Sequence, residues 1–257
     1  MRNNRFMSKC IVVLLSCIIG LSSCGEKNQF PTDEIHYTTI YNSILPIEPI
    51  WNFGESRLVS NSYVPEKGVC ILKFDKEVTK IGIRAFEGCS SLTSITIPAS
   101  VTEIGDGGFM GCTRLTGIDI PESVTEIGYG AFEGCSSLTN ITIPPSVTEI
   151  KEKAFAYCKS LTSVDIPASV TKIENGAFMD CSSLTSIDIP ESVTEIEYVA
   201  FIRCSSLTSI TIPESVTEIG WNAFADCESL TEVNIPMGCN VHEKAFNGCP
   251  NVQIIRY

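Results

Sequence analysis

Residues 92–98 read LTSITIP, and variants of this heptad occur seven times, the last being LTEVNIP at residues 230–236. Working outward from it, Phe86, Phe109, Phe132, Phe155, Phe178, Phe201 and Phe224 recur every 23 residues. Three positions after each stands a cysteine: Cys89, Cys112, Cys135, Cys158, Cys181, Cys204 or Cys227. An eighth pair, Phe246 and Cys249, arrives after 22 residues, one residue being missing between Pro236 and Val241. Self-similarity at a fixed short period is the signature of a stacked repeat array, and it settles the architecture before any local reading.

Within a unit, Leu92, Ile95 and Ile97 match the L-x-x-L-x-L spacing of leucine-rich repeats, where a short strand turns alternate side chains inward. Pro98 closes the strand's hydrogen-bonding run. Val101 and Ile104 form a second inward pair, expected on a shorter strand across the coil. Ala85, Phe86 and Cys89 have i, i+3/i+4 spacing, which predicts one helical turn with a buried face. A single unit buries too little to stay ordered, so stacking on its neighbours supplies the difference. Val69, Leu72, Phe74 and Val78 share the offsets of Leu92, Ile95, Ile97 and Val101, so a degenerate first rung is expected from Gly68. Val252, Ile255 and Tyr257 fit the strand offsets of a last one, whose open edge invites pairing. The expectation is a mainly β chain with short helical turns: a right-handed solenoid of about nine 23-residue rungs over residues 68–257. At about 4.8 Å per rung it would be roughly 40 Å long. Residues 34–67 lack the period but contain strand-like pieces (HYTTIYNSI, SRLVSNSYV), and read as an N-terminal β cap.

The VTEIG, AF-x-GC-SSL and TSITIP pieces resemble the BspA-type (Treponema pallidum-type) leucine-rich repeat, over about residues 68–257. In the cap, Phe53 and Gly54, the SNSY of residues 60–63 and the GVCILKFD from Gly68 resemble the lead-in of lipoproteins of this family from gut and oral anaerobes. The resemblance implies surface or secreted proteins, some of them adhesins for host proteins or other bacteria, without implying one ligand.

The N-terminus points to export. Arg2, Arg5 and Lys9 precede an apolar run, CIVVLLSCIIGL at residues 10–21, which is short and wrongly flanked for a membrane span. Leu21, Ser22, Ser23 and Cys24 follow. This resembles a bacterial lipobox, which implies removal of residues 1–23, acylation of Cys24 and a flexible tether over residues 24–33. An ordinary secretion signal containing a cysteine is the alternative. Buried acyl methylenes at about 0.8 kcal/mol each would make the anchor stable. Gly25, Glu26 and Lys27 lack the aspartate that in known lipoproteins signals inner-membrane retention, so the outer membrane is expected; these residues do not decide which way it faces, and the cell surface is what the family resemblance implies. The chain has a formal net charge of −12, and removal of residues 1–23 leaves 15 basic and 30 acidic side chains. A surface this acidic repels phosphate, which argues against nucleic acid as a partner.

Catalytic and metal chemistry find little support. The repeat cysteines read as a packed ladder of reduced thiols, with disulfides as the alternative. Cys70 and Cys239 lie off that ladder and are the better candidates for a special role. No C-x-x-C pair exists and His36 and His242 are the only histidines, so no metal and no cofactor is expected. Serines and threonines repeat identically, as at Thr93, Thr116 and Thr139 or Ser100, Ser123 and Ser146, and so serve the rung through turn or ladder hydrogen bonds. An enzyme is not expected.

What remains is surface. Outward strand positions include Asp119, Asp165 and Asp188, with Asp165 and Asp188 on adjacent rungs about 5 Å apart. They are a candidate seat for a basic segment or a cation; solubility and protection of the sheet are the plainer explanation. A second acidic row, Glu103, Glu126, Glu149, Glu195 and Glu218, lies on the other side. The most variable offset precedes Ala-Phe: Ile83, Asp106, Tyr129, Glu152, Asn175, Tyr198 and Trp221. Variation among like units marks positions free of structural duty, and Tyr129, Tyr198 and Trp221 are of the type enriched at contact hot spots. The leading expectation is a non-catalytic lipoprotein that binds a protein ligand. A glycan-capturing accessory protein is the alternative, weakened because rungs without aromatics separate the aromatic ones. A passive periplasmic scaffold is a third.

Overall fold

The computed structural model describes residues 31–40, 44–45 and 53–257. Cys24, the export segment and most of the tether lie outside the described residues. The strands in chain order are β1 (Glu34–Thr39), β2 (Leu58–Val64), β3 (Val69–Phe74), β4 (Lys80–Ile81), β5 (Leu92–Thr96) and β6 (Glu103–Ile104). Then come β7 (Glu126–Ile127), β8 (Asn140–Thr142), β9 (Glu149–Ile150), β10 (Ser163–Asp165), β11 (Lys172–Ile173) and β12 (Glu195–Ile196). The last are β13 (Ser209–Thr211), β14 (Glu218–Ile219), β15 (Glu232–Ile235), β16 (Asn240–Val241) and β17 (Gln253–Arg256). Every pair from β4 onward is parallel and offset by about one repeat, as Lys172↔Glu195↔Glu218 and Ser209↔Glu232↔Gln253 show.

Each turn of the coil closes around its apolar residues. Leu115, Leu138, Leu161, Val124, Val147 and Val170 are at most 1% exposed. Between the two strands of a rung, the proline carbonyl accepts the N–H three residues on (Val101 to Pro98, Val124 to Pro121, Val147 to Pro144), a tight turn that reverses the chain. The phenylalanines form one column through the solenoid, from Phe86 to Phe246, with neighbouring centroids 5.1–5.5 Å apart and planes within 11° of parallel. Phe53 of the cap meets Phe86 edge-on at 6.1 Å and Phe74 at 4.8 Å, and so closes the column's first face.

Two details differ from the sequence expectation. The segment around Ala85, Phe86 and Cys89 is not a helical turn but a chain of β-turns, and no helix is assigned among the described residues. Ala85, Glu87 and Cys89 donate to carbonyls three residues back, whereas Arg84, Phe86 and Gly88 donate to Asp106, Gly108 and Met110 of the next rung. Left-handed backbone at Arg84 (φ 56°) and Gly88 (φ 67°) interrupts any helix. Eight phenylalanine turns are present, from Phe86 to Phe246, and the expected ninth rung, from Gly68, is drawn into the cap. Its strand β3 does not lie on β5. Instead β1 sits between them, antiparallel to both, in the order β2-β3-β1-β5. The first rung therefore meets a hydrogen-bonded antiparallel strand rather than solvent, which blocks the open edge at that end.

Candidate functional site

The repeated polar side chains are occupied by the scaffold. The hydroxyls of Thr116, Thr139, Thr162 and Thr231 each donate to the carbonyl of the threonine 23 residues earlier, at 3.0–3.5 Å. Thr102, Thr125, Thr171, Thr194 and Thr217 form a second such ladder. Ser100, Ser123, Ser169 and Ser192 donate to valine carbonyls of the preceding rung at 2.5–2.7 Å. These groups tie rungs together, and none is presented as a nucleophile beside a base.

The variable row is where side chains are released to solvent. Its backbone is fixed: Tyr129 N–H donates to Asp106 Oδ1 at 2.8 Å, and the carbonyls of Tyr198 and Trp221 accept from Gly176 and Val199 of the preceding rungs. The rings are free of that duty, with Tyr129 40%, Tyr198 46% and Trp221 39% exposed. Tyr198 and Trp221, on consecutive rungs, stack at 5.3 Å with planes 18° apart. The structure thus joins two of the three aromatic candidates, while Tyr129 stands three rungs away. Tyr129 carries its own cation: Lys153 Nζ lies 5.5 Å from its ring centroid and donates to its hydroxyl at 3.0 Å. Sequence reading missed this lysine; its signal is a spacing of one repeat plus one residue, which puts Lys153 on the adjoining rung.

Beside the aromatic row run the short strands bearing the acidic column. Parallel register aligns Lys80, Glu103 and Glu126, and separately Glu149, Lys172, Glu195 and Glu218. Lys80 pairs with Glu103 and Lys151 with Glu126, and these carboxylates raise both lysine pKa values. Lys172 binds Glu197 at 2.7 Å and Glu195 at 3.8 Å. Glu218 has no ion-pair partner among the described residues. A groove of about 440 Å³ is lined by Glu195, Glu197 and Glu218 together with Tyr198 and Trp221, and by Asn175 and His242 of the flanking rungs.

The aspartates form a separate and looser set. Asp119, Asp165 and Asp188 are all exposed. Asp119 makes a single bridge to Thr96, Asp165 aligns with Thr142, and Asp188 lies in no assigned strand. Asp188 lines a smaller depression of about 230 Å³ with Glu191, Ser209 and Thr211. The six candidates do not form one site, since the two grooves share no residue.

Residues 66–185 and 148–257 match the BspA type leucine rich repeat region, in six copies. This chain belongs to the BspA-type leucine-rich-repeat family. Among solved structures, the T. pallidum leucine rich repeat protein is 36% identical, with a TM-score of 0.57, over 61% of this chain and 73% of that one. A leucine-rich repeat protein from Eubacterium ventriosum is 28% identical, with a TM-score of 0.56, over 62% of this chain and 43% of that one. A leucine rich cell surface protein from Faecalibacterium prausnitzii is 31% identical, with a TM-score of 0.48, over 68% of this chain. This chain covers 62% of that protein's length. No curated protein matches.

The cysteine of the BspA-type unit proves to be a hydrogen-bond donor. From Cys112 to Cys227 each thiol reaches the carbonyl of the phenylalanine 26 residues earlier at 3.1–3.3 Å, and Cys249 reaches Phe224 at 3.1 Å. Among the described residues no cysteine is in a disulfide. Burial pushes the Cys89 thiol up to about 11 and those of Cys158 and Cys204 up to about 12. On the last two cysteine-bearing turns, the Cys249 thiol and burial raise Cys227, while the hydrogen bond from Cys227 lowers Cys249. Cys70 and Cys239 are also buried. Burial raises both, outweighing the neighbouring Arg256 guanidinium at Cys239, so neither has the exposed setting of a reactive thiol. His36 binds Glu34 at 3.0 Å in the cap, and His242 Nδ1 accepts the Lys244 N–H at 3.1 Å. Among the described residues no group of three potential ligands is placed to hold a metal ion.

Proposed function

We propose that this chain is an exported lipoprotein, anchored through Cys24 in the outer membrane and facing the cell surface, whose repeats bind a protein ligand without catalysis. The observation that carries this reading is the exposed, stacked Tyr198–Trp221 pair on a scaffold whose repeated hydroxyls and thiols are committed to its own ladders. Two rigid aromatics held by backbone ladders offer contact area at small entropic cost, the usual character of a hot spot. Membership of a leucine-rich-repeat family supports a binding scaffold. The two rings are neighbours, which favours a glycan platform more than the sequence spacing suggested. Each ring, however, gives one face to the other, leaving less flat surface for a sugar, so protein is the preferred ligand. Asp119, Asp165 and Asp188 contribute at most a secondary, electrostatic contact.

The test is capture of the full chain on immobilised host matrix proteins and, in parallel, on polysaccharides. Binding to protein that weakens by roughly 2 kcal/mol for Tyr198→Ala or Trp221→Ala supports the reading. Retained binding in both variants removes the aromatic row from it, and binding to polysaccharide alone replaces it with glycan capture. Protease shaving of intact cells, with a periplasmic protein as control, tests location: loss of the repeats while the control survives supports the surface, and full protection refutes it.

A further inference from the structure

We propose that the groove beside Tyr198 and Trp221 is a seat for an arginine side chain presented by a basic segment of the protein ligand. This rests on the protein-binding reading and names its chemistry. The groove has what a guanidinium needs. Its lining holds the stacked aromatics, and π faces and edges attract a planar, weakly hydrated cation. It also holds Glu195 and Glu218, aligned on neighbouring strands. Lys172 binds Glu197 closely and Glu195 loosely, so Glu218 is the carboxylate left to accept a forked donor. Asn175 also lines the groove, but its side-chain oxygen is buried away from solvent and is not among the acceptors offered there. On the rung beyond, Lys244 stands two residues before Phe246, the offset that Lys153 holds before Phe155, but among the described residues only Lys153 lies over a ring.

The solenoid contains an internal precedent. At Tyr129, the same position of the repeat three rungs earlier, Lys153 places its ammonium over the ring. That aromatic is satisfied within the chain. Among the described residues no cation lies against Tyr198 or Trp221, where the acidic column is least neutralised. The row therefore has one aromatic position closed by its own lysine and one open pair beside an unpaired carboxylate. A chain of net charge −12 also draws basic segments towards itself over about a Debye length, roughly 8 Å at physiological salt.

The experiment uses the full chain and a fluorescein-labelled peptide of alternating glycine and arginine, with lysine and citrulline versions, followed by fluorescence polarisation. Arginine is expected to bind about tenfold more tightly than lysine, and citrulline not measurably. Glu218→Gln and Trp221→Leu should each weaken arginine binding about tenfold. Tyr129→Leu should leave it unchanged. So should Glu103→Gln, which removes the same charge five rungs, or about 24 Å, away. Equal binding of the arginine and citrulline peptides overturns the proposal. So does equal weakening by Glu103→Gln and Glu218→Gln, which would reduce the effect to net charge. Glu218 is exposed, so Glu218→Gln reports on the groove even where Trp221→Leu perturbs the fold. If the chain captures a matrix protein and Glu218→Gln does not weaken that capture, this inference fails while the protein-binding reading stands. If the arginine peptide behaves as expected and no matrix protein is captured, the groove stands and the choice of matrix proteins as ligand fails.

Discussion

At the scale of single residues, the phenylalanine and the cysteine of each unit do different work at nearly the same depth. Phe155 is fully buried and stacks at 5.5 Å on both Phe132 and Phe178, so its ring belongs to two interfaces at once. Removing it leaves a cavity that rigid neighbouring rungs cannot collapse into. Phe155→Ala is expected to cost about 3–5 kcal/mol in a urea denaturation series. Because contacts run only between neighbours, the defect should also separate the two halves, giving a broadened or two-step transition. A single sharp transition at unchanged midpoint would show that the column contributes little. The cysteines were legible as packed thiols from their period. Their acceptor was not, because the Phe carbonyl that each one reaches belongs to the preceding rung, 26 residues earlier.

At the scale of the element, the turn carrying Ala-Phe shows how an apolar pattern can mislead. Spacing of i, i+3/i+4 fits one helical turn equally well, and it was read that way. Two left-handed residues per rung decide otherwise, such as Gly107 and Gly111, or Gly130 and Gly134. The glycines at these offsets are a visible signal. It is blurred because Lys153, Tyr157, Val199 and Arg203 occupy the same conformation with φ of 50–60°. Gly111 isolates the conformational term, since an added Cβ would come no closer than 3.6 Å to the Gly88 backbone. Gly111→Ala should therefore destabilise by about 1 kcal/mol through backbone strain alone, read as a lower urea midpoint at constant m. No change would mean that the turn relaxes out of the left-handed region at little cost.

At the scale of the whole molecule, the thiol ladder behaves as one titrating body. The folded pKa values lie above the ordinary 9.0, at about 11 for Cys89 and about 12 for Cys158 and Cys204. Between those limits the folded chain keeps protons that the unfolded chain has released. Stability is therefore complete below pH 9 and falls as the pH rises through the window from 9 to about 12. Each thiol still protonated in that window takes away about 1.4 kcal/mol per pH unit. Thermal melts at pH 8, 9 and 10 should show a drop that is much the larger in the last step, and Cys158→Ala should make it shallower. A flat profile would mean that the thiols do not govern alkaline stability. The same scale governs the candidate site. The aromatic row, the acidic column and the aspartates were all visible in sequence, but not that Tyr198, Trp221, Glu195 and Glu218 line one groove while Asp188 alone of the aspartates lines another.

The sequence by itself determined the solenoid, because stacking repeats a translation and a 23-residue period states which residues become neighbours along it. From that follow the Phe column, the Thr and Ser ladders and the acidic strands. The tertiary structure alone decided what periodicity does not encode. The cap has no repeat, so only long-range hydrogen bonding places β1 antiparallel between β3 and β5 and takes β3 out of register, while β4 of the same rung keeps it by pairing with β6. Side-chain torsions, not spacing, bring Lys153 onto Tyr129 and leave the Tyr198–Trp221 pair without a cation among the described residues. Those choices depend on free energies of a kcal/mol or so between rotamers and partners, far smaller than the burial that fixes the coil.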